Sequence, residues 1–212
     1  MERAGTEHRV FIPRALSSLS PAALSILERH LGIGPCARAT SRDDLYAVTR
    51  CPRLGLKKRA VTRDADAAEA PPRDWELKVS RAVFDDGSEA LEKFELPHNT
   101  VFDDACLGLT EAEREAVVSS AAGGVRALLS KRRRTGAYGE LVDVQLEILG
   151  GRSSWVTWCF ETSWRDILGD AGPRARGAAL LAALAEADAD TLKGAMICSF
   201  AGWVEVNAGA SS

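Results

Sequence analysis

Apolar and polar residues alternate along much of the chain, the period-two signature of strands with one apolar face. In "WELKV", Trp75, Leu77 and Val79 share one face while Glu76 and Lys78 share the other. "ELVDVQLEI" sets Val142, Val144, Leu146 and Ile148 against Asp143, Gln145 and Glu147, and "WVTWCFE" sets Val156, Trp158 and Phe160 against Thr157, Cys159 and Glu161. By the same parity Lys57 shares a face with Arg59, Lys93 with Glu95, and Lys131 with Arg133. "HRVFIP", "DLYAVT", "LGLKKRAVTR", "ALEKFEL", "KRRRTGAY" and the closing "KGAMICSFAGWVEV" also read as strands. "DDGS" (Asp85 to Ser88) and "GGR" carry tight-turn chemistry, which predicts hairpins and an antiparallel sheet.

Three segments follow the helical period instead. "LSPAALSILERHLG" has Ser20 as N-cap, Pro21 at the first helical position and Gly32 as the stop, with Leu24, Ile26, Leu27 and Leu31 as its apolar stripe. "LTEAEREAVVSSAAGGVRALLS" opens on a Thr110–Glu113 capping box, and Gly123-Gly124 weakens its centre. "GPRARGAALLAALAEADA" has Pro173 near its first turn. "DADAAEAPPRD", between Asp64 and Asp74, reads as a polar loop. About eight hairpin-linked strands with three helices between groups of them predict an α+β class, as one domain over residues 1–212.

Composition excludes several function classes. With 46% hydrophobic and 27% charged residues the chain is an ordinary globular one, and a net charge of −3 argues against general nucleic-acid binding. Five scattered cysteines, with no C-x-x-C pair, suit a reducing compartment and make no zinc or redox motif. His8, His30 and His98 form no metal-binding pair. "MERAGTEHR" is too charged for a signal peptide and "GAALLAALA" too short to span a bilayer, so a cytoplasmic location is expected.

The charged strand faces admit two readings. One is the wet side of an open antiparallel sheet. The other is a closed barrel whose apolar face lies under the helices and whose polar face lines a lumen. Several Lys and Arg with a few carboxylates match an Mg²⁺–polyphosphate ligand, since cations hold phosphate oxygens and carboxylates hold the bridging metal. The parity pattern alone does not choose. His8 could substitute as a metal ligand, although a lone His on a strand is more often structural or exposed, and Cys159 lacks a neighbouring histidine to make it a nucleophile.

The order of the segments resembles the CYTH superfamily of triphosphate tunnel metalloenzymes, above all its thiamine-triphosphatase branch. "TEHRVFIP" is similar to the opening strand, "SRDDLYAVT" to the aspartate-tyrosine strand, "LGLKKR" to the arginine-rich strand, "WELKV" to the W-x-L-K strand and "EKFEL" to the acidic strand. "SKRRR", "VDVQLEI", "TWCFE" and "LKGAMICSF" resemble the later basic, aspartate-bearing, glutamate-bearing and lysine-bearing strands. The likeness spans nearly the whole chain.

The resemblance implies an eight-stranded antiparallel closed barrel, a tunnel with a polar lumen, flanked by about three helices. It implies a small-molecule triphosphate (tripolyphosphate, thiamine triphosphate or a nucleoside triphosphate) hydrolysed with Mg²⁺ or Mn²⁺. Lys57, Arg59, Lys78, Lys131, Arg133 and Lys193 would bind phosphates; Glu95, Glu147 and Glu161 would hold metal; Glu161 and Lys78 would be catalytic. The chain departs from the family at E-x-E-x-K, where Thr6, His8 and Val10 stand and Glu7 falls on the outward parity, and at Cys159, where a second carboxylate is common. The alternative reading is therefore a tunnel without turnover that binds a phosphorylated ligand or a protein partner.

Overall fold

The computed structural model describes residues 3–62, 75–96, 107–161 and 171–210. The predicted loop over 64–74, together with His98, Cys106 and Trp164, lies outside the described residues. The strands are β1 (Arg3–Ile12), β2 (Ala39–Ala47), β3 (Leu54–Thr62), β4 (Trp75–Val83), β5 (Glu89–Leu96), β6 (Arg126–Thr135), β7 (Glu140–Ile148), β8 (Gly151–Glu161) and the two-residue β9 (Met196–Ile197). The helices are α1 (Pro21–Leu31), α2 (Glu111–Gly123), α3 (Ala171–Asp188) and α4 (Phe200–Ala210). The sheet runs β5-β4-β3-β2-β6-β7-β8-β1, and β1 pairs back to β5, so eight antiparallel strands close into a barrel. The class is α+β, as the alternation and hairpins predict. No helix among the described residues is long and apolar enough to cross a membrane.

Local chemistry explains the elements. Ser20 accepts a bond from the Ala23 amide at 3.1 Å to cap α1, and Gly32 ends that helix with a left-handed φ of 69°. The Thr110–Glu113 capping box starts α2, which stops at Gly123, so that "RALLS" begins β6 rather than extending the helix. The expected last strand is the main departure. Only Met196 and Ile197 pair, with Val10 and Phe11, and the chain then turns into α4. Phe200, Trp203 and Val204 fall at i, i+3 and i+4, a helical stripe, and Ser199 caps the turn by accepting from the Gly202 amide at 3.3 Å.

Three apolar clusters position the lumen. Val10, Ile12, Val156, Trp158 and Phe160 cover the outer wall of β1 and β8 under Leu27 and Leu31 of α1 and Leu180 and Leu184 of α3. Leu54, Leu56, Leu77 and Val79 cover the outer wall of β3 and β4 beneath Val117 of α2. The third cluster is inside. Phe11, Val142, Val144 and Trp155 pack on Phe200 and Trp203, so α4 stops one half of the barrel with an apolar plug. Trp203 stacks on Phe11 at 4.7 Å, and Ala201 lies so close to β3 that a side chain at Gly55 would come within 2.7 Å of it.

That plug reverses the expected orientation of β7. Its apolar residues Val142, Val144 and Leu146 face inward to meet α4, and Asp143, Gln145 and Glu147 face out. The alternation in β7 marks an apolar interior rather than a charged one.

Candidate functional site

Paired residues in adjacent antiparallel strands share a face, so the register fixes what enters the lumen. Lys78 lies opposite Gly55 and Lys93, Lys57 opposite Tyr46 and Glu76, and Lys131 opposite Arg42 and Val144. Lys57, Arg59, Lys78, Lys131 and Arg133 therefore all face inward, the choice between the two faces that alternation alone left open.

The first strand corrects the sequence reading. Glu7 lies opposite Glu161 and Glu89, and Arg9 opposite Cys159, so Glu7 and Arg9 face the lumen while His8 faces α3. His8 is buried where α3 crosses at Gly177, whose missing side chain leaves room for the imidazole. The inward residues of β1 are thus Gly5, Glu7 and Arg9, not Thr6, His8 and Val10. The parity was illegible because Val10, Phe11 and Ile12 are all apolar and all fully buried, two against the helices and one against α4.

Inside, four of the acids each join two or three cations. Glu7 meets Arg9 Nε at 2.7 Å and Lys78 Nζ at 3.1 Å. Glu140 meets Arg9 at 2.8 Å and Arg133 at 3.3 Å. Glu76 meets Lys57 at 2.9 Å, Lys93 at 2.8 Å and Arg59 at 3.3 Å. Asp44 holds Lys131 at 2.8 Å, and Arg42 approaches it at 3.0 Å as an ion pair without hydrogen-bond alignment. Among the described residues, eight cations share these four carboxylates. Sequence parity had paired Glu76 with Lys78 and Lys93 with Glu95; Arg9, Arg42, Asp44 and Glu140 it missed, because a lone charge on a strand reads as surface.

The titrations follow from this crowding. Burial pushes the Lys131 ammonium down to about 7 and Lys57 to about 8, although Asp44 and Glu76 pull the other way. Burial also works against the charge on Glu7, but Lys78 and Arg9 outweigh it and hold that carboxyl well below its usual range. Glu161 goes the opposite way. Part of it reaches solvent, yet burial of its carboxyl and the neighbouring Glu7 charge raise it, and it makes no ion pair among the described residues. Two facing carboxylates pushed apart in pKa are a common feature of working sites.

Three predicted residues do not join the lumen core. Glu147 is on the outer wall, paired with Arg152 at 3.0 Å in solvent, because β7 has the reversed orientation. Lys193 follows a short 3₁₀ turn over Ala189–Leu192 and is exposed, because its segment does not enter the barrel as a strand. Glu95 shares the inward face with Glu76 but sits exposed at the rim. Glu161, at the exposed end of β8, does meet inward groups: Glu7, Cys159 and Glu161 each offer one donor atom, all within 4.8 Å of one another. Burial keeps the Cys159 thiol neutral, and both Glu7 oxygens are engaged. This set makes no all-protein cage, but it fits a cation such as Mg²⁺ that keeps several waters and binds through one or two carboxylates plus phosphate oxygens. A cavity of about 140 Å³ opens beside it, lined by Thr40, Arg42, Lys131, Arg133, Glu140, Val142 and Phe200.

No family model and no curated protein matches the chain. Some solved structures align with much of its length at low identity. A conserved hypothetical protein from Pyrococcus furiosus aligns over 84% of this chain and 90% of its own, at 13% identity and a TM-score of 0.43. A proposed adenylate cyclase from Bacillus halodurans aligns over 76% of this chain and 83% of its own, at 13% identity and a TM-score of 0.31. The S. pombe Pct1 RNA triphosphatase, solved in complex with the Spt5 CTD, aligns over 75% of this chain and 70% of its own, at 10% identity and a TM-score of 0.30.

Proposed function

We propose that the lumen binds a compound with a triphosphate chain and hydrolyses it with the help of a divalent cation. One observation carries this reading. Eight inward cations share four carboxylates, and burial holds two of the lysines near neutral pH even though each already pairs with an acid. A polyphosphate supplies the missing negative charge along a line, as the strands present the cations.

In this reading Lys57, Arg59, Lys78, Lys131 and Arg133 hold phosphate oxygens, and Arg9, Arg42 and Lys93 join them. Lys78 and Arg9 keep Glu7 ionised and fixed. Glu161, with Glu7 beside it, would hold Mg²⁺ or Mn²⁺, which when bound neutralises phosphate oxygens and orients a water. The chain itself contributes charge neutralisation and positioning, the main sources of acceleration in phosphoryl transfer.

A second reading has its own support. Gly5 and Cys159 stand where further carboxylates would help hold metal, and Glu7 is already committed to two cations. That arrangement suits binding of a phosphorylated ligand without turnover. The deciding measurement is phosphate release from tripolyphosphate, thiamine triphosphate and ATP with Mg²⁺ or Mn²⁺. Hydrolysis is expected to fall at least about a hundredfold in Glu161→Gln. An inert wild type that tripolyphosphate still stabilises would replace hydrolysis by the second reading, and no stabilisation at all would remove both.

A further inference from the structure

The floor of the cavity is not part of the barrel wall. Phe200, the first residue of α4, lines it beside Arg42, Lys131 and Arg133. Lys131 Nζ lies 3.5 Å from the centre of the Phe200 ring, and the Arg9 guanidinium carbon 4.4 Å from it. The ring is itself pinned. It packs edge-on against Phe11 at 5.1 Å, and further along α4 Glu205 accepts bonds from the Thr49 amide at 2.6 Å and the Arg50 amide at 3.0 Å, holding the helix in the barrel end. Arg9 is 3% exposed, and its Nη1 has no hydrogen-bond partner.

We propose that Phe200 is a positioning residue of the anion site, whose π system holds both Lys131 and Arg9 in place for a phosphate oxyanion. The inference rests on the phosphate-binding reading above. Two like charges against one buried ring are costly unless something offsets them; Asp44, Glu7 and Glu140 do so in part, and an aromatic face adds negative charge density without a further counter-ion to compete with the ligand. A carboxylate in that place would neutralise the cations outright; a leucine would fill the volume and leave them unsupported. Other groups also face Lys131. Asp44, Arg42 and Tyr46 do so from β2 and Lys57 from β3, while Glu140 on β7 and Arg133 share its cavity. The claim for Phe200 is therefore that removing the ring alone, with all of these in place, is felt.

The test compares wild type with Phe200→Leu and Phe200→Tyr by calorimetric titration with tripolyphosphate and by NMR titration of ¹³C-labelled lysine, with Lys131→Met identifying the signal. Phe200→Leu is expected to weaken tripolyphosphate binding roughly tenfold and to move the Lys131 midpoint to lower pH, with Phe200→Tyr close to wild type in both. Wild-type affinity and an unmoved midpoint in Phe200→Leu would overturn the proposal alone. Weaker binding with an unmoved midpoint would also overturn it, since the ring would then only fill space. A wild type that fails to bind tripolyphosphate would overturn the phosphate reading, and this proposal with it.

Discussion

At Lys131 the opposition of burial and Asp44 sets a midpoint of about 7, against an ordinary lysine near 10.5, and Lys57 lies at about 8. The sign has two consequences. In the ligand-free protein the folded state binds fewer protons than the unfolded chain above pH 7, so these lysines make stability rise as pH climbs from about 7 towards the ordinary lysine value of 10.5. A bound polyphosphate favours the charged lysines, so its affinity falls over the same window and binding takes up protons. Calorimetry at pH 6.5 and 8.5, in buffers of different ionisation enthalpy, is expected to show weaker binding and proton uptake at the higher pH. Affinity that does not change between these values would remove the two lysines from the site. Glu7 does not contribute to this window, since its carboxyl is held far below it.

Packing of helices on the barrel is set by close approaches between elements. α3 crosses β1 where Gly177 meets His8, with the imidazole in the space that a side chain at Gly177 would need. Gly177→Ala is expected to destabilise the fold by about 1–3 kcal/mol through overpacking, and His8→Ala in the same chain to recover much of it. Urea denaturation of the two single variants and the double variant measures that coupling; additive losses would mean that His8 and Gly177 do not compete for space. The same contact explains why His8 is structural. It faces away from Glu7 and Arg9, its neighbours in sequence, and under α3 instead of into the lumen.

The whole molecule is a barrel with helices on its outer walls, an apolar plug in one half and a crowded set of charges in the other. In the proposed reading an anion completes this charge set and stabilises the fold. Tripolyphosphate at a hundred times its dissociation constant is expected to add about 2.7 kcal/mol and raise Tm accordingly. The gain is expected to shrink between low salt and 1 M salt, as screening weakens the ligand's hold on the rim cations first. Differential scanning calorimetry reads both effects, and a Tm indifferent to tripolyphosphate at low salt would contradict a polyanion site.

The elements were largely legible in the sequence, because caps, tight turns and two-residue alternation act locally. Ser20, the Thr110–Glu113 box, "DDGS" and the Trp75–Leu77–Val79 face appear in the structure where the residues predict them. Local chemistry also placed Lys57, Arg59, Lys78, Lys131 and Arg133 on common faces with correct parity. Which face is the inside was decided elsewhere. In β1, three consecutive apolar residues hide the parity, and only pairing with β5 and β8 turns Glu7 and Arg9 inward. In β7 the alternation is clear but its direction is not, and α4 inside the barrel draws the apolar face in and leaves Glu147 outside. Alternation specifies that a strand has two faces; only closure of the sheet, and what fills it, assigns one of them to the lumen.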